Sequence, residues 1–281
     1  MIDAHCHLNT SYTPESVSVA LEHFTKQGGT YVIDVTTSLE DIPRSQAIIK
    51  KYSTAIYATI GLHPETPKAD SVTQQKILSD FESLTTQLPT LKNIVGIGET
   101  GLDYYYFNEQ TNESLVVKNQ EELFRLHIAL AEKLHLPLVI HARGRDTLDM
   151  TAYTDCLSII KREHFTGKVY FHSFGGNLQT AEKILSENYY FGINGIITYK
   201  GSQQIADALE VIPLTSLLLE TDAPFLIPSN MDRTLLTEKT INEPMAIFFS
   251  AKRLAAIKKI AIEEILQQTA KNTKAVFESL L

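Results

Sequence analysis

Pro137-Leu138-Val139-Ile140-His141-Ala142-Arg143 is an apolar run that ends in an imidazole and a guanidinium. Its setting decides the fold. Glu121–His135 before it and Asp146–Glu163 after it both have helical spacing. Leu136–His141 therefore reads as a strand between helices. A strand apolar at successive positions is one buried on both faces, as parallel strands are. The same unit recurs in both directions. Toward the N-terminus lie strand-like Met1–Cys6, Tyr31–Thr36, Ala55–Leu62 and Ile94–Glu99. Helical Pro14–Gln27 (ending at Gly28-Gly29), Leu39–Tyr52 and Ser71–Leu88, with Ser71 as N-cap, separate them. Toward the C-terminus come strands Lys168–His172, Tyr189–Ile197 and Leu217–Glu220, with helices Leu178–Asn188 and Gln203–Val211. From about Glu243 the tail reads as two helices with a break near Lys258–Ile260.

Eight strands, each followed by helical sequence, imply parallel pairing with right-handed crossovers. In 281 residues that is the α/β class and a (β/α)8 TIM barrel, a fold of usually about 250 residues. The barrel is expected to be one domain spanning 1–281. An open doubly wound sheet would need a glycine-rich phosphate turn after the first strand, and the sequence has none there.

Composition bounds the rest. Hydrophobic residues make up 43% and charged residues 21%, ordinary values for a globular chain. No apolar run approaches the ~20 residues of a membrane span. No basic segment precedes an apolar stretch at the start, and strand-like sequence begins at Ile2, so no secretion leader and no membrane association are expected. The cysteines, Cys6 and Cys156, are too few and too far apart for a disulfide framework. Both are read as reduced, in a cytoplasmic protein, and a monomer is expected. A formal charge of −8 argues against a general nucleic-acid coat protein but leaves room for a local phosphate pocket.

Side chains two apart in a strand share a face, so His5 and His7 in Asp3-Ala4-His5-Cys6-His7 project together, with Cys6 behind them. Glu99, His141, His172 and Asp222 each end another strand. A barrel gathers its strand ends at one mouth, where barrel enzymes carry their active sites. Each residue alone has an ordinary explanation as a rim hydrogen bond or a helix cap. Together, four neutral nitrogens and two carboxylates suit two divalent ions of borderline hardness, with Glu99 able to bridge them. Two such ions can activate a water. Arg143, two past His141, suits phosphate or else an ion pair with a loop carboxylate. His63 is either a substrate contact or a loop anchor. Asp3 and Glu220 should face the barrel interior, orienting ligand histidines or tying the barrel floor. His23, His127, His135 and His164 read as structural. Lys200 and Arg233 sit in loops after strands, as anion contacts or surface charge. The polar, tyrosine-rich loop Asp103–Lys118 is a candidate lid or substrate wall. Thr66–Asp70 and Pro228–Thr240 are the other irregular stretches.

With these residues assembled, the chain resembles the TatD family of metal-dependent hydrolases, a branch of the amidohydrolase superfamily. The resemblance covers essentially the whole chain. It rests on Asp3-x-His5-x-His7, Gly61-Leu62-His63-Pro64, Gly98-Glu99-Thr100-Gly101-Leu102-Asp103-Tyr104, Ile140-His141-x-Arg143, His172-x-Phe174-x-Gly176 and Glu220-Thr221-Asp222-x-Pro224. It implies that His5, His7 and Asp222 hold one divalent ion (Zn, Mg, Mn or similar), that His141 and His172 hold another, and that Glu99 is shared. It further implies divalent-metal-dependent hydrolysis, described as deoxyribonuclease activity on DNA ends. In such a site Asp222 and Glu99 are the catalytic carboxylates, and Asp222, a ligand on one metal, is placed to accept the proton from the attacking water. The chain also departs from the family pattern. Ser173 and Gly175 stand where Cys and Ser or Thr are common. Phe107-Asn108 follows the tyrosines where an Arg is frequent. Thr237-Glu238-Lys239-Thr240-Ile241 replaces a basic, glycine-containing run. These departures thin the groups that would grip a nucleic-acid backbone. The same site could instead cleave a carboxylic ester or amide, such as an aminoacyl ester on RNA. A non-catalytic metal-binding barrel would be free to lose a ligand, and none of the six is missing.

Overall fold

Each expected strand forms and lies beside its predecessor. The computed structural model describes residues 1–65, 74–107 and 112–278. It contains β1 (Ile2–Cys6), β2 (Tyr31–Val35), β3 (Ile56–Ile60), β4 (Ile94–Asp103), β5 (Leu138–Arg143), β6 (Val169–Phe171), β7 (Tyr190–Ile193) and β8 (Leu217–Leu219), all parallel and in that order in one eight-stranded sheet. Just past β8 the ends of the sheet meet. Asp222 N–H donates to the His5 carbonyl at 2.9 Å, and His7 N–H to the Ala223 carbonyl at 2.6 Å. The barrel is thus nearly closed, by the segments that carry three of the expected ligands.

The helices between strands are α1 (Pro14–Lys26), α2 (Asp41–Lys51), α3 (Gln74–Gln87), α4 (Glu113–Leu134), α5 (Thr151–Arg162), α6 (Leu178–Ser186) and α7 (Gln203–Val211), followed by α8 (Ile247–Lys258) and α9 (Ile262–Val276). Their buried faces and the outward strand residues form the larger apolar cluster. A smaller cluster gathers Ile33, Val35, Val95, Val139, Tyr170 and Leu218 with Val276 and Phe277 from the end of α9. Val139 and His141, Tyr170 and His172, and Leu218 and Glu220 are each two apart. The strand faces that fill the barrel therefore also aim functional groups at its mouth. Pairing slips between Asp3 and Cys6 on β1 and between Ile97 and Thr100 on β4. Such irregularities re-aim side chains, and these flank His5 and Glu99. Among the described residues, no helix is long and apolar enough to cross a membrane.

Four boundaries differ from the sequence reading by more than two residues. β7 ends at Ile193 rather than Ile197, because Asn194 accepts the Ile196 N–H and Gly195–Thr198 turns into a 3-10 helix. β4 continues past Glu99 to Asp103. α4 begins at Glu113 rather than Glu121, where Asn112 caps it by accepting the Leu115 N–H at 3.3 Å. Its first turns looked like loop because their buried face is partly polar: Asn119 and Gln120 are buried beside Val116. Gln120 is satisfied there by the Asp103 backbone, accepting its N–H at 3.0 Å and donating to its carbonyl at 2.8 Å. α5 begins at Thr151 rather than Asp146, because Asp146 and Asp149 hold local turns. Asp146 accepts the Leu148 and Asp149 N–H groups, and Asp149 those of Arg145 and Thr151. Such side-chain bonds compete with helix formation. Ser71, the stretch Thr66–Asp70 and positions 108–111 of the tyrosine-rich loop lie outside the described residues.

Candidate metal centre

All six expected ligand residues converge on one mouth, around Glu99. Local backbone explains the aim of two of them. Asp222 has φ 55° and Ser173, directly after His172, has φ 48°. In this left-handed region the chain turns sharply, and Asp is among the residues that tolerate it. Gly101, at φ 135°, lies between Glu99 and Asp103, and a Cβ there would fall 2.1 Å from the His141 carbonyl oxygen. Only glycine lets β4 approach β5 that closely.

Each Glu99 oxygen faces a different set of donors. Oε2 lies 3.4 Å from His5 Nε2 and 3.8 Å from His7 Nε2. Oε1 lies 2.7 Å from His141 Nδ1 and 2.6 Å from His172 Nε2. On the first side, the two Nε2 atoms are 3.2 Å apart, and Asp222 Oδ1 is 3.2 Å from His7 Nε2 and 3.7 Å from His5 Nε2. On the second, His141 Nδ1 and His172 Nε2 are 3.2 Å apart. The His5 and His172 rings stack at 4.0 Å across the middle. The groups His5, His7, Asp222 and Glu99, His141, His172 each bring their ligand atoms close enough to hold one ion.

Hydrogen bonds behind two of the four rings set their tautomers, while the Nδ1 atoms of His5 and His172 are buried without a hydrogen-bond partner. His7 Nδ1 is 3.0 Å from the Val35 carbonyl, which can only accept, so the ring donates from Nδ1 and its Nε2 lone pair points into the cluster. His141 Nε2 donates to Asp103 Oδ2 at 2.9 Å, so its Nδ1 lone pair points at Glu99. Lone pairs and carboxylate oxygens thus face one another at contact distance. That arrangement is repulsive unless positive charge lies between them. The directions of the pKa shifts agree with that field. Burial opposes charge on His7, but its Asp222 hydrogen bond and the Asp222 and Glu99 charges raise it to about 9. Burial likewise opposes charge on His141, but Asp103 and Glu99 raise it to about 10. Burial pushes Glu99 up, and the facing histidines, His172 and His63 first, pull it well below the usual carboxylate range. His5, unlike His7 and His141, goes down, to about 4, through burial and the neighbouring His172. A pocket that would hold protons on its imidazoles holds a divalent cation by the same attraction. The donor set therefore fits divalent metal.

Asp103 was not singled out in the sequence, although it lies four past Glu99 and so on the same strand face. A strand read as ending at Glu99 hid that relation. Its Oδ1 accepts the Tyr105 N–H at 2.9 Å while Oδ2 holds His141. Tyr105 in turn lies under Arg143, whose guanidinium carbon is 3.6 Å from the ring centroid, a cation–π contact. Arg143 makes no ion pair among the described residues and lines the mouth. His63 accepts the Glu65 N–H on Nδ1 at 3.1 Å. Its neutral form therefore carries the proton on Nε2, which lies 3.3 Å from His141 Nδ1 and 3.5 Å from Glu99 Oε1. Burial, then the His141 charge, lowers its pKa and keeps it neutral. In that tautomer it presents a donor to the mouth, although with Asp103 and His141 it also forms a group whose atoms are close enough to hold an ion.

Asp3 and Glu220 face inward as expected, and neither hydrogen-bonds a ligand ring. Asp3 accepts the Thr221 N–H at 2.9 Å and hydroxyl at 2.5 Å, tying β1 to the segment that holds Asp222. Burial pushes it up to about 7. Glu220 accepts from Ser173 N–H at 2.6 Å, the Asn194 amide at 3.1 Å and the Tyr170 hydroxyl, and His172 Nδ1 stays 3.9 Å away. His127 is buried and satisfied on both nitrogens. It donates from Nδ1 to the Leu123 carbonyl at 2.8 Å and accepts the Leu62 N–H at 3.0 Å. Cys6 and Cys156 are buried and free. The cluster opens into a cavity of about 1100 Å³, whose rim includes Tyr105, Tyr106, Lys200 and Phe225.

Fold and donor set together define a class: a (β/α)8 barrel carrying a candidate metal-binding cluster at the C-terminal ends of its strands. The model of the TatD related DNase family matches residues 2–278, and the chain belongs to that family of metal-dependent hydrolases. It is 31% identical to an uncharacterized metal-dependent hydrolase, BU355, of Buchnera aphidicola, over 99% of this chain and 98% of that one. It is 30% identical to another, YcfH of Escherichia coli K12, over 99% and 95%. The crystal structure of YJJV, a TatD homolog from E. coli K12, superposes with a TM-score of 0.77 at 27% identity, over 99% of this chain and 98% of that one.

Proposed function

We propose that the chain is a two-metal phosphodiesterase acting on DNA ends in the cytoplasm. The observation that carries the reading is the division of Glu99, with Oε2 toward His5 and His7 and Oε1 toward His141 and His172. In this reading His5, His7 and Asp222 hold one ion, His141 and His172 the other, and Glu99 both. Divalent ions there, Zn, Mg, Mn or similar, supply an activated water and neutralise charge on the transition state. Asp222 takes the proton from the attacking water. Position supports this, with Oδ1 3.2 Å from His7 Nε2 and 3.7 Å from His5 Nε2 among the ligand atoms; burial works upward on its pKa, but the His7 hydrogen bond and nearby histidines hold it below the usual value, so the carboxylate is ionised. His63 donates from Nε2, and Arg143 meets a phosphate oxygen. A guanidinium carried on an aromatic face, without a carboxylate partner among the described residues, keeps its donors for an anion. The family description supports DNA as the substrate.

The test is to incubate metal-reconstituted protein with short single-stranded DNA, RNA, phosphomonoesters and aminoacyl esters side by side. Preferential hydrolysis of DNA from an end is the expected result. Turnover of the aminoacyl ester alone would replace the reading with carboxyl-ester hydrolysis.

A further inference from the structure

Beside the metal mouth lies a second hollow of about 410 Å³, lined among others by Tyr199, Phe225, Leu226, Ile227 and Arg233. Tyr199, Phe225 and Leu226 also line the main cavity, so the two spaces adjoin. We propose that this side pocket binds one nucleotide unit next to the scissile phosphate, its base against Phe225 and Tyr199 and its further phosphate on Arg233. The proposal rests on the phosphodiesterase reading and adds a substrate subsite to it.

Three observations carry it. First, Phe225 is a large apolar side chain left 54% exposed, beside the reacting groups. Its ring centroid is 6.0 Å from that of His7. Solvating a phenyl ring at the mouth of a polar site has no packing purpose, whereas a nucleobase stacks on such a ring. Second, both rings stand on fixed backbone. Phe225 N–H donates to the Asp222 carbonyl at 2.9 Å, and its carbonyl accepts the Asn242 amide at 2.7 Å. The Tyr199 hydroxyl donates to the Ile227 carbonyl at 3.1 Å, across the pocket wall. The following turn is pinned as well, with Ser229 N–H donating to Thr198 Oγ1 at 2.7 Å. A pre-positioned aromatic platform loses little entropy on binding. Third, Arg233 is exposed and makes no ion pair among the described residues. Its neighbour Asp232 is occupied in capping the next turn through Thr234 N–H and hydroxyl. A platform for a planar ring with a free guanidinium at its far end matches a base with a phosphate beyond it. It also offers this chain a backbone contact where the basic run before Asn242-Glu243-Pro244 is thinned.

The probe is thymidine 3′,5′-bisphosphate, titrated calorimetrically into metal-loaded protein, with thymidine 5′-monophosphate and deoxyribose 5-phosphate for comparison. In the wild type the bisphosphate should bind most tightly and the base-free sugar phosphate most weakly. Arg233→Ala should bring the bisphosphate to the level of the monophosphate. Phe225→Leu should weaken both nucleotides about fivefold or more, from the ~1–3 kcal/mol of one stacked base, and leave the sugar phosphate unchanged. Equal binding of monophosphate and sugar phosphate, or an Arg233→Ala protein that binds the bisphosphate like wild type, would overturn the subsite. Binding is read without turnover. A protein that seats the bisphosphate as described but hydrolyses no DNA would keep the subsite and refute the nuclease reading. Hydrolysis of DNA without base-dependent binding would do the reverse.

Discussion

The two sides of Glu99 use the same ligand types and hold them differently. On the side of β1 and the segment after β8, His7 is aimed by a backbone carbonyl, that of Val35. The carboxylate there, Asp222, stands in front of the rings among the ligand atoms. On the side of β5 and β6, the carboxylate stands behind. Asp103 grips the far nitrogen of His141, and only Glu99 faces the cluster. A carboxylate in front can bind an ion and accept a proton. A carboxylate behind can do neither, but it fixes the tautomer and raises the donor strength of its histidine. The centre is therefore asymmetric. In the proposed reading, one side serves proton transfer and the other a strongly held ion next to Arg143 and His63.

Breaking what the two sides share should have the largest effect. Chelation should abolish turnover and an added divalent cation restore it. Glu99→Gln, which removes the charge both sides use, should leave the protein folded by circular dichroism and inactive. Activity surviving thorough metal removal would mean that another nucleophile does the work. Breaking only the front carboxylate comes next. Asp222→Asn keeps one oxygen donor but accepts no proton at neutral pH, so kcat should fall about 10²–10⁴-fold. Metal analysis of the same preparation should still find ion, with KM little changed. Near-normal turnover would remove Asp222 from proton transfer.

The third break falls on the second side alone. Arg143→Ala should weaken phosphate substrates by about 1.5–3 kcal/mol, the worth of a hydrogen bond to a charged group, read from kcat/KM. Carboxylic esters should lose less, and an equal loss on both would make Arg143 a support for Tyr105 only. The smallest effect sharpens the asymmetry itself. Asp103→Asn retains one acceptor for two donors, the His141 ring and the Tyr105 N–H, and drops a charge. Metal affinity should fall about 10–100-fold for one ion and stay unchanged for the other, giving a biphasic titration. A uniform loss at both ions would show that the two sides are not independent.

Where sequence and structure part, polar residues are the cause. The apolar strands were legible because burial on both faces leaves an unbroken run, as in Leu138-Val139-Ile140. The start of α4 was not legible, because Asn119 and Gln120 look like loop until Asp103 supplies partners for Gln120. The start of α5 was misplaced because nothing local separates an aspartate opening a helix from one folding a turn on its own backbone.

Sequence alone determined the parallel barrel and the six residues at its mouth. Both follow from period and position: strand ends of a closed barrel meet, whichever loops join them. Tertiary structure decided what each of those residues can do. Which nitrogen of His141 carries its proton depends on Asp103, thirty-eight positions away. The tautomer of His63 depends on one Glu65 N–H. The separate duties of the two Glu99 oxygens depend on which strands lie on either side. Tautomer and direction are set by partners brought together in space, and no local pattern in the chain encodes them.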